Sequence, residues 1–126
     1  MGKFKNFEPR GVIPATLLAF NADLSIDESA SRKHLVDCAL VDGVAAVTVN
    51  GHASEIHACS FDEQKRILEF SLDEVGDKVP VVSGVYADGS LEAQRVAGMA
   101  QDAGASCLLV FPPQSLAMGG VTRPES

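Results

Sequence analysis

The stretch that decides the fold is Ala45-Ala46-Val47-Thr48-Val49-Asn50-Gly51-His52-Ala53-Ser54-Glu55. It begins as an apolar run that is too short for a helix and contains β-branched residues, which predicts a buried strand of a parallel sheet. The run then changes to polar residues, among them a histidine and a carboxylate. Because ligands bind at the carboxyl ends of parallel strands, we expect the functional site at this junction.

The same strand pattern recurs along the chain, and helical patterns lie between the strands. The predicted strands lie near residues 12–18, 45–50, 79–85 and 106–111. Two capping-box spacings mark the first two helix starts, Ser25 with Glu28 and Ser60 with Glu63, and Ser90 opens the third helix. Glycines near 43, 76 and 104 are expected to end these helices. Strands that alternate with helices at about 30 residues a unit predict parallel pairing.

Four strands and three helices can close in two ways. One is a small open sheet with helices on both faces, and the other is an arc of a (β/α)₈ barrel. An arc would leave its inner face and both sheet edges uncovered. Periodicity alone leaves both architectures open. In either case residues 1–10 are expected to form a tail before a domain that covers 11–126, and residues 114–126 have no periodic pattern.

Composition narrows the class of protein. The 126 residues are 46% hydrophobic, which predicts one globular domain. The net charge of −7 and the scattered basic residues argue against a nucleic-acid partner. No segment has the signal-peptide pattern or the ~20 apolar residues of a membrane helix. The three cysteines form no CxxC pair, and Cys38 and Cys107 are expected to be buried thiols. We therefore expect a cytoplasmic protein with no membrane contact.

Several stretches, taken in order over about residues 10–113, resemble the dihydrodipicolinate synthase/N-acetylneuraminate lyase family. They are Gly11–Ala15, Phe20–Asp23 with Ser25–Asp27, Asn50–Glu55, Ser60–Arg66, Val79–Val85, and Ala103–Ala105 with Leu108–Pro113. The family fold is a TIM barrel. The resemblance therefore implies an α/β chain that forms the N-terminal half of such a barrel, with about four parallel strands and three helices.

The resemblance also implies an activity. Members of the family make or break a carbon–carbon bond next to a 2-oxo acid, commonly pyruvate, through a Schiff base on lysine and without a cofactor. Gly51, His52, Ala53, Ser54 and Glu55 stand where the family has the loop that holds the substrate carboxylate, so all five are expected to bind substrate. Two threonine hydroxyls of that loop are replaced here by His52 and Ala53. A protonated His52 would restore one donor, and Glu55 would bond loop amides.

The catalytic residues of the family have no counterpart in the 126 residues. The lysine comes from the sixth strand and the proton-relay tyrosine from the fifth. Lys33 and Lys65 fall in predicted helices, Lys78 precedes a strand, and Tyr86 is the one tyrosine. We therefore assign no catalytic residue, and expect the isolated chain to be inactive and to self-associate or need a complementing chain. The alternatives are a non-catalytic remnant or a small anion-binding α/β module.

The loop after the second predicted strand also carries residue types that can bind a metal ion. His52, Glu55, His57 and Cys59 lie within eight residues and carry ligand types that suit zinc. Their spacing matches no standard zinc pattern, so no metal is expected. Tyr86 and Asp88 follow the third strand at the same sheet edge, where an aromatic side chain is expected to serve packing.

Overall fold

The computed structural model describes residues 4–114, so residues 1–3 and all but the first residue of the predicted tail 114–126 lie outside the described residues. Its main elements are α1 (Glu28–Ala39), β1 (Val47–Val49), α2 (Phe61–Val75), β2 (Val81–Val85), α3 (Ser90–Ala103) and β3 (Cys107–Val110). Two single 3₁₀ turns, His52–Ser54 and Ile56–Ala58, lie between β1 and α2. Helices and strands alternate as predicted.

The sheet is parallel, and its strand order is the chain order β1-β2-β3. Val47 pairs with Val81, and Val82 pairs with Cys107. The carboxyl ends of all three strands therefore lie along one edge of the sheet. That edge is where the sequence places the polar loop Gly51–Glu55.

The predicted first strand near residues 12–18 lies beside β1 in the expected parallel direction but is not a continuous strand. It joins its neighbour through two isolated bridges, Val12 to Val44 and Ala15 to Thr48. The Pro14 carbonyl accepts a hydrogen bond from the Thr48 N–H at 2.9 Å. Proline has no N–H to donate in return, so the ladder is interrupted at that residue.

The three helices share one face of the sheet, which decides between the two predicted architectures. Helix α2 contacts α1 on one side and α3 on the other, and it packs against β1 and β2. Large buried members of the core between helices and strands are Leu35, Val47, Val49, Ile67, Leu68, Phe70, Val75, Val81, Val85 and Val96. In an open sheet with helices on both faces, consecutive helices would lie on opposite faces and would not contact one another. The arc of a (β/α)₈ barrel is therefore confirmed.

Local sequence signals explain most helix ends. The Glu63 N–H donates to Ser60 Oγ at 3.1 Å, and the Ser60 N–H donates to Glu63 Oε1 at 2.9 Å, so the capping box of α2 is confirmed. Helix α3 ends at Gly104, whose φ of 110° is left-handed. None of the helices within residues 4–114 is long and apolar enough to span a bilayer.

The predicted start of α1 at Ser25 is wrong. Asp27 is the N-cap, and its Oδ1 accepts a hydrogen bond from the Ala30 N–H at 3.0 Å. The Ser25 hydroxyl instead donates to Asp23 Oδ1 at 2.6 Å. An aspartate directly before the first helical residue is a strong N-cap, so the distant serine does not cap the helix. The helix also ends at Ala39, four residues before Gly43.

The sheet face opposite the helices is only partly open. Thr48 of β1 and Val82 of β2 point to this face, and each is 5% exposed. The expected exposure of the inner face is therefore wrong for these two residues. Strand β3 differs, because Leu109, which pairs with Gly84 and lies on this face, is 42% exposed.

Candidate functional site

The loop after β1 leaves the strand through Asn50, whose φ of 55° is left-handed. The Asn50 Nδ2 donates to the main-chain oxygen of Gln64 in α2 at 2.9 Å and ties the loop to that helix. The Asn50 carbonyl oxygen lies 1.8 Å from the place where a Cβ of residue 84 would stand. Residue 84 is a glycine of β2. The loop therefore crosses the end of β2 in space that a side chain would occupy.

Most N–H groups of the loop donate hydrogen bonds to acceptors within the loop itself. The Gly51 N–H donates to Ser54 Oγ at 3.1 Å, and the Ser54 hydroxyl donates to the Gly51 carbonyl at 3.2 Å. The Ser54 and Glu55 N–H groups donate to the carbonyls of Gly51 and His52 at 3.2 and 3.0 Å. Within residues 4–114, the N–H groups of His52 and Ala53 have no acceptor. These two amides, both in exposed residues, are the donors that the loop leaves available.

Glu55 shapes the loop through its backbone. Its φ is 57°, and its carbonyl accepts the Ala58 N–H at 2.8 Å. Its exposed carboxylate makes no hydrogen bond to the part of the chain that the structure describes. The family-derived expectation that Glu55 bonds loop amides is therefore wrong for this loop. A loop amide is instead bonded by Ser54, whose hydroxyl oxygen accepts the hydrogen bond from the Gly51 N–H.

Three aromatic rings from the ends of the three strands meet beside this loop. The His52 ring stacks on Phe111 with centroids 4.0 Å apart and an interplanar angle of 18°. Tyr86 meets the same imidazole edge-on at 5.7 Å. We call His52, Tyr86 and Phe111 the strand-end cluster. The packing role expected for Tyr86 fits this arrangement.

Hydrogen bonds extend the strand-end cluster along the sheet edge. The Tyr86 hydroxyl donates to Gln114 Oε1 at 3.0 Å, and the Gln114 N–H donates to Asp88 Oδ1 at 3.2 Å. Sequence reasoning did not single out Phe111 for the site. One sequence signal could have indicated Phe111. It directly follows an apolar strand, and ligands bind at this end of parallel strands.

The residues weighed as zinc ligands do not form a metal site. Among residues 4–114, no group of three or more His, Cys, Asp or Glu side chains could hold a metal ion. The Cys59 thiol lies near the Glu55 carbonyl, with its sulfur 3.7 Å from that oxygen. Burial raises the pKa of the Cys59 thiol, and the carboxylates of Glu63 and Glu55 raise it further. Metal ligation needs a thiolate, which this environment disfavours.

Three of the described lysines, Lys33, Lys65 and Lys78, lie away from the carboxyl ends of the strands. Lys33 and Lys65 are on helices and pair with Asp37 and Glu69 at 2.9 and 3.9 Å. Lys78 lies before β2, at the amino end of that strand. None of these three lysines stands where the carboxyl ends of the strands present the loop amides, and Lys5 precedes the first strand segment in the chain.

Comparison with known proteins matches residues 8–115 to the model of the dihydrodipicolinate synthetase family. The 4-hydroxy-tetrahydrodipicolinate synthases of Salinibacter ruber and Methanopyrus kandleri are 38% and 36% identical to this chain over 104 and 108 residues. Those matches cover 82% and 85% of this chain. They cover 34% and 36% of the two relatives, so the chain spans about a third of the length of the curated relatives it matches.

Solved structures of the same family also match this chain over part of their length. YagE, a prophage protein of the dihydrodipicolinic acid synthase family from E. coli K12, was solved in complex with pyruvate. It is 30% identical with a TM-score of 0.75, and the match covers 82% of this chain and 34% of YagE. The dihydrodipicolinate synthase of Aquifex aeolicus is 25% identical with a TM-score of 0.75, over 82% of this chain and 34% of that enzyme.

Proposed function

Because this chain belongs to the dihydrodipicolinate synthetase family, we propose that it supplies the carboxylate-binding edge of a lyase or synthase that acts on pyruvate or a related 2-oxo acid. The observation that carries the proposal is the pair of adjacent N–H groups at His52 and Ala53, which have no acceptor within residues 4–114. They follow the carboxyl end of a parallel strand, where ligands bind in this class of fold.

A carboxylate is the ligand that this pair of donors suits. Successive backbone N–H groups that point out of a tight turn attract an anion, and hydrogen bonds to a charged acceptor are the stronger kind. The neighbouring Gly51 N–H is occupied by Ser54, so the proposed cradle is narrower than the five residues predicted from sequence. In the proposal Gly51 and Ser54 hold the loop, while His52 and Ala53 contact the substrate. The pyruvate complex of YagE supports a 2-oxo acid as that substrate.

The proposed chemistry requires a lysine that the described strands do not carry. Its amine would add to the keto carbon, the keto oxygen would leave as water, and the resulting iminium would accept the electron pair of the neighbouring carbon. We propose that this lysine comes from further parallel strands, either in the same protein or in a complementing chain. Strand β3 is the last strand of the described sheet, and its outer edge is where such strands would pair.

The proposed route uses no metal and no organic cofactor. We place it in the cytoplasm, which suits the three unpaired cysteines.

Two variants at one position test the cradle. Proline at the first residue of a helical turn needs an extended residue before it, and Gly51 has φ −99° and ψ −175°. His52→Pro therefore removes one N–H without opposing the loop geometry, and His52→Ala removes the imidazole alone. We expect pyruvate to shift the amide resonances of His52 and Ala53 in the native protein. His52→Ala should keep the Ala53 shift, whereas His52→Pro should weaken binding about tenfold, as expected for one charge-assisted hydrogen bond.

Equal binding by both variants would contradict the cradle. Reduction with borohydride in the presence of pyruvate tests the lysine argument separately. We expect no covalent adduct on the 126-residue chain. An adduct would show that one of its own lysines reaches the substrate.

A second candidate is an anion-binding module without lyase chemistry. The observation in its favour is that both free amides lie in one loop and need no further strand. Such a module should bind acetate as tightly as pyruvate, because the keto group would have no partner. Joining the chain to a lysine-bearing barrel segment should then give no adduct with pyruvate and borohydride.

A further inference from the structure

Three buried polar atoms behind the site loop have no hydrogen-bond partner among residues 4–114. They are Asn50 Oδ1, Gln64 Oε1 and Ser83 Oγ. The three residues are 1%, 8% and 0% exposed. A buried polar atom without a partner destabilises the folded state, so three such atoms call for an explanation.

These atoms belong to residues that meet where β1 and β2 end against the start of α2. The Asn50 Nδ2 donates to the Gln64 carbonyl at 2.9 Å, which joins the first two residues. Ser83 of β2 pairs with Val49, the residue before Asn50, and lies on the strand face that carries the core residues Val81 and Val85. The three oxygens therefore border the same interface between sheet and helix.

The chemistry of the three groups is complementary to one water molecule. The amide oxygens of Asn50 and Gln64 can only accept hydrogen bonds, whereas the Ser83 hydroxyl can donate one. The Ser83 hydroxyl makes no hydrogen bond to either amide oxygen. A water molecule donates two hydrogen bonds and accepts others, so a single water can satisfy all three groups. Buried waters typically make about three such bonds.

We propose that Asn50, Gln64 and Ser83 form a binding site for one long-lived internal water. The water would join Ser83 of β2 and Gln64 of α2 to Asn50, the residue from which the loop begins. The left-handed backbone of Asn50 sets the direction of the chain into Gly51 and His52. The inference concerns this internal site alone and does not depend on whether the protein acts on a 2-oxo acid.

A high-resolution crystal structure of the 126-residue protein tests the proposal directly. We expect electron density for one solvent atom within ordinary hydrogen-bond distance, about 2.7–3.2 Å, of at least two of the three oxygens. Density with markedly shorter contacts to all three would indicate a cation and overturn the assignment to water. Direct contacts between the side chains, with no solvent density, would overturn it as well.

Oxygen-17 relaxation dispersion, which counts long-lived waters in solution, gives a second measurement. We expect Ser83→Ala to lose one long-lived water, because the site loses its only donor. Ser71→Ala is the matched control, since Ser71 is buried to a similar degree, at 1% exposed, but its hydroxyl already donates to the Ile67 carbonyl. The control should keep the count of the unmodified protein. An unchanged count in Ser83→Ala, or the same loss in both variants, would overturn the proposal.

Discussion

The carbonyl oxygen of Asn50 occupies the space in front of Gly84, 1.8 Å from the position of the Cβ that Gly84 lacks. The contact involves the backbone of both strands, so no side-chain rotation can relieve it. It places the loop after β1 over the end of β2 and brings His52 within stacking distance of Phe111, the residue after β3. One missing methyl group thus permits the strand-end cluster to form.

Gly84→Ala should therefore destabilise the protein by about 2–3 kcal/mol or prevent folding, because the new methyl group overlaps a main-chain atom. Gly98→Ala is the matched control. Gly98 lies inside α3, and a Cβ there would meet no atom within 4 Å from any other part of the described chain beyond its own helix backbone. Alanine should stabilise that helix by about 0.5–1 kcal/mol. Chemical denaturation of both variants measures the difference, and equal stabilities would contradict the contact.

Ser60→Ala should destabilise the protein by about 1 kcal/mol, because it removes the acceptor of the Glu63 N–H at the start of α2. Ser90 gives a direct comparison. It is the first residue of α3, and the N-cap of that helix is Gly89, which offers no side-chain bond. Ser90→Ala should change the midpoint of thermal unfolding little. A similar loss in both variants would show that the capping box contributes nothing specific.

Glu28 links α1 to α2 and should make stability depend on acidity. Hydrogen bonds from Arg66 and then Arg32 lower the pKa of its carboxyl from the ordinary value of 4.5. The charged form therefore favours the folded state. Its contribution is fully present above pH 4.5 and is lost as the pH falls through the lower pKa of the folded protein. Glu28→Gln should flatten this part of the acid unfolding curve.

The control for Glu28 is Glu8→Gln, which alters a carboxylate whose side chain is 87% exposed and whose nearest cation, Arg10, is equally exposed. An exposed pair of that kind contributes little to stability. The acid unfolding curve of Glu8→Gln should follow that of the unmodified protein. If the acid unfolding curve of Glu28→Gln is as steep as that of Glu8→Gln, the ion pairs of Glu28 with Arg32 and Arg66 are not coupled to folding.

The three cysteines should differ in reactivity. Burial, followed by the carboxylates of Glu63 and Glu55, raises the pKa of the Cys59 thiol and reduces its reactive thiolate fraction at neutral pH. Cys38 and Cys107 are only half-buried, contrary to the burial expected from sequence. Mass spectrometry after brief treatment with iodoacetamide should find Cys38 and Cys107 modified well before Cys59. Equal modification in the native protein, with denatured protein as the reference, would contradict this order.

The helices were largely predictable because their signals are local. Ser60, Glu63 and Gly76 bound α2 within one sequence window, and Gly104 ends α3. The same spacing rule chose Ser25 wrongly, since it ignored the stronger cap at Asp27. Sequence periodicity also could not show that Pro14 would interrupt the first strand.

The site was harder to predict because it depends on contacts between strands. The run from Gly51 to Glu55 was found correctly as the loop after β1, but its hydrogen bonds were not predictable. Which N–H groups remain available depends on the Ser54 hydroxyl turning back to Gly51. Phe111 follows a strand two positions away in the sheet, and its contact with His52 requires the loop to cross Gly84. Neither fact has a signature within one segment.

The agreement between strand order and chain order has a consequence for how the protein forms. Each described strand pairs with the strand of the adjacent unit, and α2 contacts α1 and α3, the helices before and after it in the sequence. Pairings between nearby segments need closure of short loops, which favours rapid assembly. During synthesis each new unit finds its partner already made, so the polypeptide can build its sheet from the amino terminus onward as it leaves the ribosome.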